Sequence, residues 1–208
     1  MLTLRLITAA DAADVADIYR PIVASTTISF ETEAPGAADI ERRIEDTLPT
    51  FPWLVCEDRG RIVGYAYASR HRPRAAYRWS VDTSVYVRPD FHRQGVGRGL
   101  YASLFRILEA QGFVSAYAGI ALPNPGSVGL HEAMGFQPIG IYRNAGFKLG
   151  AWHDVGWWQL AIQAPVAEPR SPLTLREVQT DPAWPSLVTT GLPHIREKSR
   201  PASGNGAR

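Results

Sequence analysis

Residues 85–100 place three glycines at alternate positions between a run typical of a strand and a run typical of a helix. The segment reads VYVRPDFHRQGVGRGL. Its first residues, Val85, Tyr86 and Val87, are of the β-branched and aromatic types that favour strands. After the glycines, apolar residues recur at helical spacing. Because glycine lets other groups approach the backbone closely, this order of strand, bare turn and helix constrains the fold more than any other feature of the chain.

The turn does not match either of two common phosphate-binding motifs. A Walker A loop needs Lys and Ser or Thr after its last glycine, but Arg98 and Gly99 follow Gly97. A dinucleotide fingerprint needs a glycine where Leu100 stands. A bare turn before a helix still points successive N–H groups one way, and the helix start adds positive charge. We therefore predict a pyrophosphate site flanked by Arg93 and Arg98, with a purely conformational role for the glycines as the alternative.

Apolar periodicity predicts one α/β (α+β) domain over residues 1–163. Strands are expected at 2–7, 53–57, 62–69, 77–87 and 114–122, and in a hairpin within 139–162. Helices are expected at 9–19, 37–48 and 97–111, and after the N-cap signal of Asn124 and Pro125. Prolines recur from residue 164 onward, and the end of the chain is small and polar. Residues 164–208 are therefore expected to form a Pro-rich, mostly irregular extension.

Composition excludes several classes of protein. The 208 residues are 45% hydrophobic, which excludes a disordered chain as the main interpretation. The net charge is +2 and the arginines are scattered, so no nucleic-acid partner is expected. No apolar run is long enough to cross a membrane, so we expect a cytoplasmic protein without a membrane partner. The single cysteine, Cys56, excludes a disulfide within the chain, and no metal site is predicted.

The loop and several other segments resemble the GNAT N-acetyltransferase superfamily. Its acetyl-CoA loop has the pattern Gln/Arg-x-x-Gly-x-Gly/Ala, which falls here on residues 92–97, with His92 departing from the first position. Segments LEAQGF, LPN, HEAMGF, AGFK and WHDVGWWQL are similar to phosphinothricin and methionine sulfoximine N-acetyltransferases. The similarity extends from about Leu4 to Ile162. It implies a central mixed, mostly antiparallel, twisted sheet that is splayed at the acetyl-CoA site and flanked by helices.

The resemblance implies transfer of an acetyl group from acetyl-CoA to the α-amino group of a small amino acid, such as phosphinothricin or methionine sulfoximine or sulfone. The amine would attack directly within a ternary complex, and no metal would take part. Pantetheine would bind the backbone of the strand before the loop like an added strand. The residues implied in cofactor binding are Val85, Tyr86, Val87, Arg93, Gln94, Gly95, Val96, Gly97, Arg98 and Asn124.

Two residues occupy the catalytic positions of the resembling enzymes. Asp82 stands where those enzymes have a glutamate, and it would remove the amine proton through a water molecule or attract the ammonium. The alternative is a strand carboxylate in a salt bridge. His131 stands where most superfamily members have a tyrosine, and it would donate a hydrogen bond or proton to the leaving thiolate. The alternative is a histidine with a structural role.

The acidic group of the amino acid substrate calls for cationic side chains, and arginine binds such groups bidentately. Family members are dimers, so the resemblance also implies a homodimer. Other interpretations remain open: an acetyltransferase for a different small amine or a protein N-terminus, or an acetyl-CoA-binding module without turnover. The residues expected to contact the substrate are Phe30, Arg72, Arg74, Tyr77 and Lys148.

Overall fold

A computed structural model describes residues 2–196, which form one sheet of seven strands in the order β1-β2-β3-β4-β5-β7-β6. Every neighbouring pair is antiparallel except β4 and β5, which are parallel. The predicted mixed, mostly antiparallel sheet is confirmed. The strands are β1 (Leu2–Leu6), β2 (Trp53–Asp58), β3 (Arg61–Arg70), β4 (Ser80–Val87), β5 (Ser115–Ala121), β6 (Gln137–Lys148) and β7 (Ala151–Ala161).

Helices cover both faces of the sheet. Helices α1 (Ala12–Ser25) and α2 (Ala37–Thr47) pack on one face, where Ile40 and Ile44 lie in a core cluster with Tyr65. Helix α3 (Val96–Gln111) lies on the other face, and α4 (Pro125–Ala133) follows β5. Apolar residues at helical spacing explain this placement, since each helix buries one stripe against the sheet.

Strands β4 and β5 pair over a short stretch and then diverge. Their parallel register runs from Ser80 opposite Ser115 to Asp82 opposite Tyr117, and it stops there. Strand β3, in contrast, pairs with β4 as far as Val87. Among residues 2–196, the far half of β4 therefore has one edge without a neighbouring strand, which confirms the predicted splayed sheet.

Two predicted element boundaries differ from the structure. The predicted strand 77–87 begins only at Ser80, because Ala75–Tyr77 forms a 3-10 turn. The predicted first helix continues past residue 19 to Ser25, with Pro21 inside it. Val23 is buried on the same face as the earlier apolar residues, so packing against the core offsets the lost backbone hydrogen bond.

The segment from residue 164 packs along the domain and contains two short helices, α5 (Leu175–Val178) and α6 (Trp184–Thr189). Leu175, Val178 and Leu187 are buried in the same cluster as the residues of α3. The composition predicts a mostly irregular extension, and the apolar side chains within it supply these anchoring points. The part of that prediction that concerns residues 197–208 lies outside the described residues.

Within residues 2–196, no helix is long and apolar enough to span a membrane. The same part of the chain has no group of three or more His, Cys, Asp or Glu that could hold a metal ion.

Candidate active site

The divergence of β4 and β5 opens a cleft with a cavity volume of about 50 Å³. Side chains and backbone from both strands line it, together with residues of α3 and α4 and one residue of the loop after α1. Asn124 lies at its rim and accepts a hydrogen bond from the Ser127 N–H, so it caps α4 as the sequence predicts. The lining residues are Ile28, Thr83, Ser84, Val85, Tyr86, Tyr101, Ala118, Gly119, Ile120, Ala121, Asn124, Ser127 and His131.

The loop at residues 93–98 presents a row of backbone donors beside this cleft. Gly95 adopts φ +81° and is the N-cap of α3, so the N–H groups of the following helical turn have no carbonyl partner within the helix. Arg93 and Arg98 are exposed on either side. Such a row of donors at a helix start fits a pyrophosphate.

Gln94 and Gly97 have different surroundings within the loop. The Gln94 side chain is buried and donates to the Asp90 carbonyl oxygen at 2.8 Å, which leaves only its backbone for a ligand. A Cβ atom at Gly97 would lie 3.1 Å from Leu130 of α4, on the cleft side of the helix. A bulky side chain at Gly97 would therefore press into the space between α3 and α4.

His131 lines the cleft from α4 and is buried. Its Nδ1 lies 2.8 Å from the Ser127 carbonyl oxygen, and its Nε2 lies 3.0 Å from the hydroxyl of Tyr101. Because a carbonyl only accepts, Nδ1 bears the hydrogen and Nε2 accepts from Tyr101. Burial lowers the pKa of His131 and raises that of Tyr101, so both groups are neutral at pH 7.

Asp82 lies at the last parallel pair of β4 and β5, on the sheet face opposite α3. Its Oδ1 lies 2.7 Å from Nδ1 of His71, whose ring stacks on Tyr117 at 4.2 Å between centroids. Burial raises the pKa of the Asp82 carboxyl, whereas His71 and then Arg72 act to lower it, and the net direction is upward. A carboxylate in this position is a stronger base than an exposed one.

Arg72 lies near Asp82, with its guanidinium carbon 5.7 Å from the centroid of the Trp157 ring. It donates to the His71 carbonyl oxygen at 2.9 Å. The Trp157 Nε1 atom is buried and has no hydrogen-bond partner within residues 2–196. Arg72 and Trp157 thus present a cation and an unpaired N–H donor in one region, a combination that suits an acidic group.

All three substrate candidates of this loop, Arg72, Arg74 and Tyr77, line a second cavity of about 390 Å³. Arg74 and Tyr77 line it together with Pro172 and Leu173 of the C-terminal segment. Tyr77 also makes an edge contact with His71, at 5.9 Å between ring centroids. None of these three residues lines the cleft itself. Arg72 and Tyr77 lie beside it through their contacts with His71, which binds Asp82, and the structure does not bring Arg74 to this group.

Phe30 and Lys148 belong to the contact between the β6–β7 hairpin and the loop after α1. Phe30 lies over Gly146, where a Cβ atom would collide with its ring. The Lys148 ammonium is buried and donates to the carbonyl oxygens of Val23 and Ser29 at 2.6 and 2.7 Å. Two of its three hydrogens are thus already used to hold the segment that presents Phe30.

Sequence reasoning did not identify His71, Tyr101 or Trp157. In the sequence, Tyr101 is one of several residues on the apolar face of α3, which gives no sign of a separate role. His71 lies in an irregular stretch between two strands. The register of β3 on β4, which places Ser69 opposite Asp82, brings His71 to the carboxylate. That register is a tertiary property that the sequence pattern does not specify.

Comparisons with known proteins identify the family of this chain. The sequence model of the acetyltransferase (GNAT) domain family matches residues 4–157. A phosphinothricin N-acetyltransferase of Streptomyces viridochromogenes is 44% identical over 167 residues, which cover 80% of this chain and 91% of the relative. An L-methionine sulfoximine/L-methionine sulfone acetyltransferase of Pseudomonas aeruginosa is 32% identical over 155 residues, which cover 74% and 90%.

Solved structures give the same result. A GNAT superfamily phosphinothricin acetyltransferase from Sinorhizobium meliloti, in complex with acetyl-CoA, aligns with a TM-score of 0.76 at 32% identity, covering 84% of this chain and 98% of that one. A ribosomal-protein-alanine N-acetyltransferase from Brucella melitensis aligns with a TM-score of 0.71 at 31% identity, covering 76% and 98%. The chain therefore belongs to the acetyltransferase (GNAT) family, in the group that includes the phosphinothricin N-acetyltransferases.

Proposed function

We propose that this protein transfers an acetyl group from acetyl-CoA to the α-amino group of a small amino acid with a second acidic or strongly polar group, such as phosphinothricin or methionine sulfoximine or sulfone. The names and identities of its relatives support this class of substrate. The observation on which the proposal depends is the open edge of β4. That edge runs from the Asp82–His71 pair to the bare loop of residues 93–98.

The residues of the cleft fit acetyl-CoA. The N–H groups of the loop, with Arg93 and Arg98 beside them, hold the pyrophosphate. The open edge of Val85, Tyr86 and Val87 supplies the main-chain hydrogen bonds for pantetheine, as an added strand would receive them. The thioester carbonyl reaches the region where β4 and β5 separate, and a backbone N–H there stabilises negative charge on its oxygen.

Asp82 takes the proton of the substrate ammonium, directly or through one water molecule. An α-amino group with a pKa of about 7.7–8.0 is mostly protonated at neutral pH, so this step makes the nitrogen nucleophilic. The raised pKa of Asp82 brings its proton affinity closer to that of the amine. The shorter side chain, relative to the glutamate of the resembling enzymes, favours the route through water.

His131 and Tyr101 act at the leaving sulfur. Nitrogen attacks the thioester carbon, the C–N bond forms, and the C–S bond breaks. As Nε2 of His131 takes the second nitrogen proton, the Tyr101 hydroxyl turns from Nε2 and donates a hydrogen bond to the developing thiolate, and the proton then passes from Nε2 to sulfur. The Nδ1 hydrogen bond to Ser127 keeps Nε2 turned toward Tyr101 and makes it the basic atom of the ring. His131 is neutral before and after the step.

Arg72 and the Nε1–H of Trp157 bind the oxygen atoms of the acidic or strongly polar side-chain group of the substrate. The guanidinium offers two parallel donors, and Trp157 gains the partner that it lacks within residues 2–196. An amino acid whose side chain has no acceptor oxygen would leave this donor unpaired, which costs binding energy. The site therefore prefers amino acids with a phosphinate, sulfoximine or sulfone group.

The β6–β7 hairpin suggests a homodimer. Large apolar side chains on it are about half exposed or more, an unusual concentration for a free surface. A second copy of the chain would cover them, and light scattering of the purified protein measures whether it does. These residues are Ile139, Ile141, Tyr142, Phe147, Leu149 and Trp152.

Release of free thiol from acetyl-CoA tests the function. Purified protein is assayed side by side with phosphinothricin, methionine sulfoximine, methionine sulfone, ordinary amino acids and a peptide that has a free N-terminal amine. We expect release with the first three and little with alanine or leucine. Release with the peptide alone would favour a protein N-terminus as substrate, and acetyl-CoA binding with no release would favour a module without turnover.

A further inference from the structure

The C-terminal segment ends against the loop that precedes α3. After α6 the chain crosses α3 and runs alongside the loop as residues 191–196, here called the terminal strap. The Gly191 N–H donates to the buried hydroxyl of Ser103 on α3 at 2.9 Å. The Arg196 N–H donates to the carbonyl oxygen of Gln94 at 2.8 Å. The strap is therefore bound to both the helix and the loop.

Glycines of the bare turn face this strap rather than the cleft. A Cβ atom at Gly99 would lie 2.6 Å from Cγ1 of Ile195 and 2.8 Å from the Gly191 carbonyl oxygen. A Cβ atom at Gly95 would overlap the carbonyl oxygen of His194. Gly97 faces the opposite side, toward α4. Two of the three alternating glycines are thus required by the close approach of the strap.

The hydrogen bond from Arg196 sets the direction of the loop's donors. The peptide group that joins Gln94 to Gly95 is trans, so its C=O and its N–H point in opposite directions. Because the strap holds the Gln94 carbonyl, the Gly95 N–H points away from the strap, toward the open side of the loop. Gly95 is also the N-cap of α3. The orientation of its peptide group therefore also fixes where the helix begins, and with it the direction of the N–H groups in the first helical turn.

We propose that the terminal strap is a positioning element for acetyl-CoA: it pre-orders the pyrophosphate loop by fixing the peptide group between Gln94 and Gly95. This rests on the proposed role of that loop. The strap lies beyond residues 4–157, the part matched by the acetyltransferase domain, so it is an addition to that domain. A loop ordered in advance binds its ligand with less loss of conformational entropy. The strap therefore acts on the affinity for acetyl-CoA and leaves the chemistry to the cleft.

Two substitutions at one exposed position test the proposal. Arg196→Pro deletes the N–H that binds the Gln94 carbonyl, and the extended conformation of Ile195 is compatible with a following proline. Arg196→Ala is the matched control, because it removes the charge and keeps the N–H. We expect Arg196→Pro to raise the KM for acetyl-CoA by up to about tenfold, as for one lost hydrogen bond between uncharged groups. The kcat, the KM for the amine and the melting temperature should stay near those of the parent.

Further variants separate the strap from the loop. Gly191→Ala, whose Cβ atom would overlap the Gly99 carbonyl oxygen, should also raise the KM for acetyl-CoA, whereas Gly140→Ala, with nothing near its Cβ, should not. Gly97→Val disturbs the loop from the other side and should raise that KM regardless of the strap. If Gly97→Val raises it and Arg196→Pro does not, the strap proposal fails and the loop keeps its role. An equal rise with Arg196→Ala would overturn the backbone mechanism, and an unaltered KM with Gly97→Val would remove the loop assignment and the strap proposal together.

Discussion

The Nδ1 atom of His71 lies 2.7 Å from Oδ1 of Asp82, and the two side chains form one hydrogen-bonded unit beneath the point where β4 and β5 separate. His131 reaches the same point from the face that carries α3. In the mechanism that we propose, the acceptor amine and the leaving sulfur are thus served from opposite faces of the sheet. This division fits direct transfer between two substrates bound at the same time.

Replacing Asp82 by Asn should lower kcat by about 10²- to 10⁴-fold, because the amide cannot take the ammonium proton. Acetyl-CoA affinity should stay unchanged, since the loop and the open edge of β4 are untouched. Steady-state kinetics and direct titration with CoA measure the two quantities. Asp39→Asn, on the exposed face of α2, is the matched control. A parent-like kcat in Asp82→Asn would leave the carboxylate with only a structural role.

The pH dependence should report the raised pKa of Asp82. Activity needs the ionised carboxylate, so kcat/KM should fall as pH drops through a value above about 3.9, the ordinary pKa of Asp. His71→Phe keeps a ring over Tyr117 but removes the hydrogen bond that acts to lower this pKa. The acid limb should therefore move to higher pH in that variant. A limb at the same pH in both proteins would show that another group controls it.

Tyr101 and His131 should behave as one unit in kinetics. Tyr101→Phe removes the hydroxyl that His131 accepts from, and His131→Gln removes the ring. Each should lower kcat, and the double variant should be little worse than His131→Gln alone, because both single changes break the same hydrogen bond. Tyr142→Phe, which loses an exposed hydroxyl, should leave kcat unchanged. Additive losses would mean that the two residues act separately.

Lys148→Met should lower the free energy of unfolding by about 1–3 kcal/mol. The substitution keeps an apolar stem of similar length but leaves the carbonyl oxygens of Val23 and Ser29 buried without their donor. Urea unfolding measures the change. Arg42→Met, at an exposed ion pair on α2, should change the stability by less than about 0.5 kcal/mol. Equal stabilities for both variants would place Lys148 outside the structural framework and favour its direct contact with substrate.

Leu187→Ala should cost about 2–5 kcal/mol of unfolding free energy, as for a core leucine. Leu187 belongs to α6, in the segment after residue 163, and it is 9% exposed. Val166→Ala, at a side chain that is 65% exposed in the same segment, serves as the control. A small effect of Leu187→Ala would indicate a segment that adheres to the domain without sharing its core.

Local signals predicted much of the fold. Gly112 ends α3 in the left-handed region, and Asn124 caps α4, as expected from residue types that satisfy helix ends. The splayed sheet was also predicted, from the resemblance of the loop and several other segments to the GNAT superfamily. Boundaries were missed where tertiary packing decided them, as at Pro21 inside α1.

The candidate site was harder to predict, because its hydrogen bonds join residues that are distant in sequence. His71 meets Asp82 through strand register, and Tyr101 meets His131 through the packing of α3 on α4. The glycines of the loop are the clearest case. Their pattern predicts a ligand. At Gly99, however, a side chain is excluded by the close contact with Ile195, which lies nearly a hundred residues later in the chain.

Helix α6 packs against β1, so the first strand of the domain and its last helix are neighbours in space. Leu2 and Leu6 accordingly join the cluster that contains Leu187 and Val188. During synthesis, β1 leaves the ribosome long before the helix that covers it. Its apolar side chains cannot be fully buried until that helix has been made. The domain can therefore complete its core only after α6 has been synthesised, and not already at the end of β7.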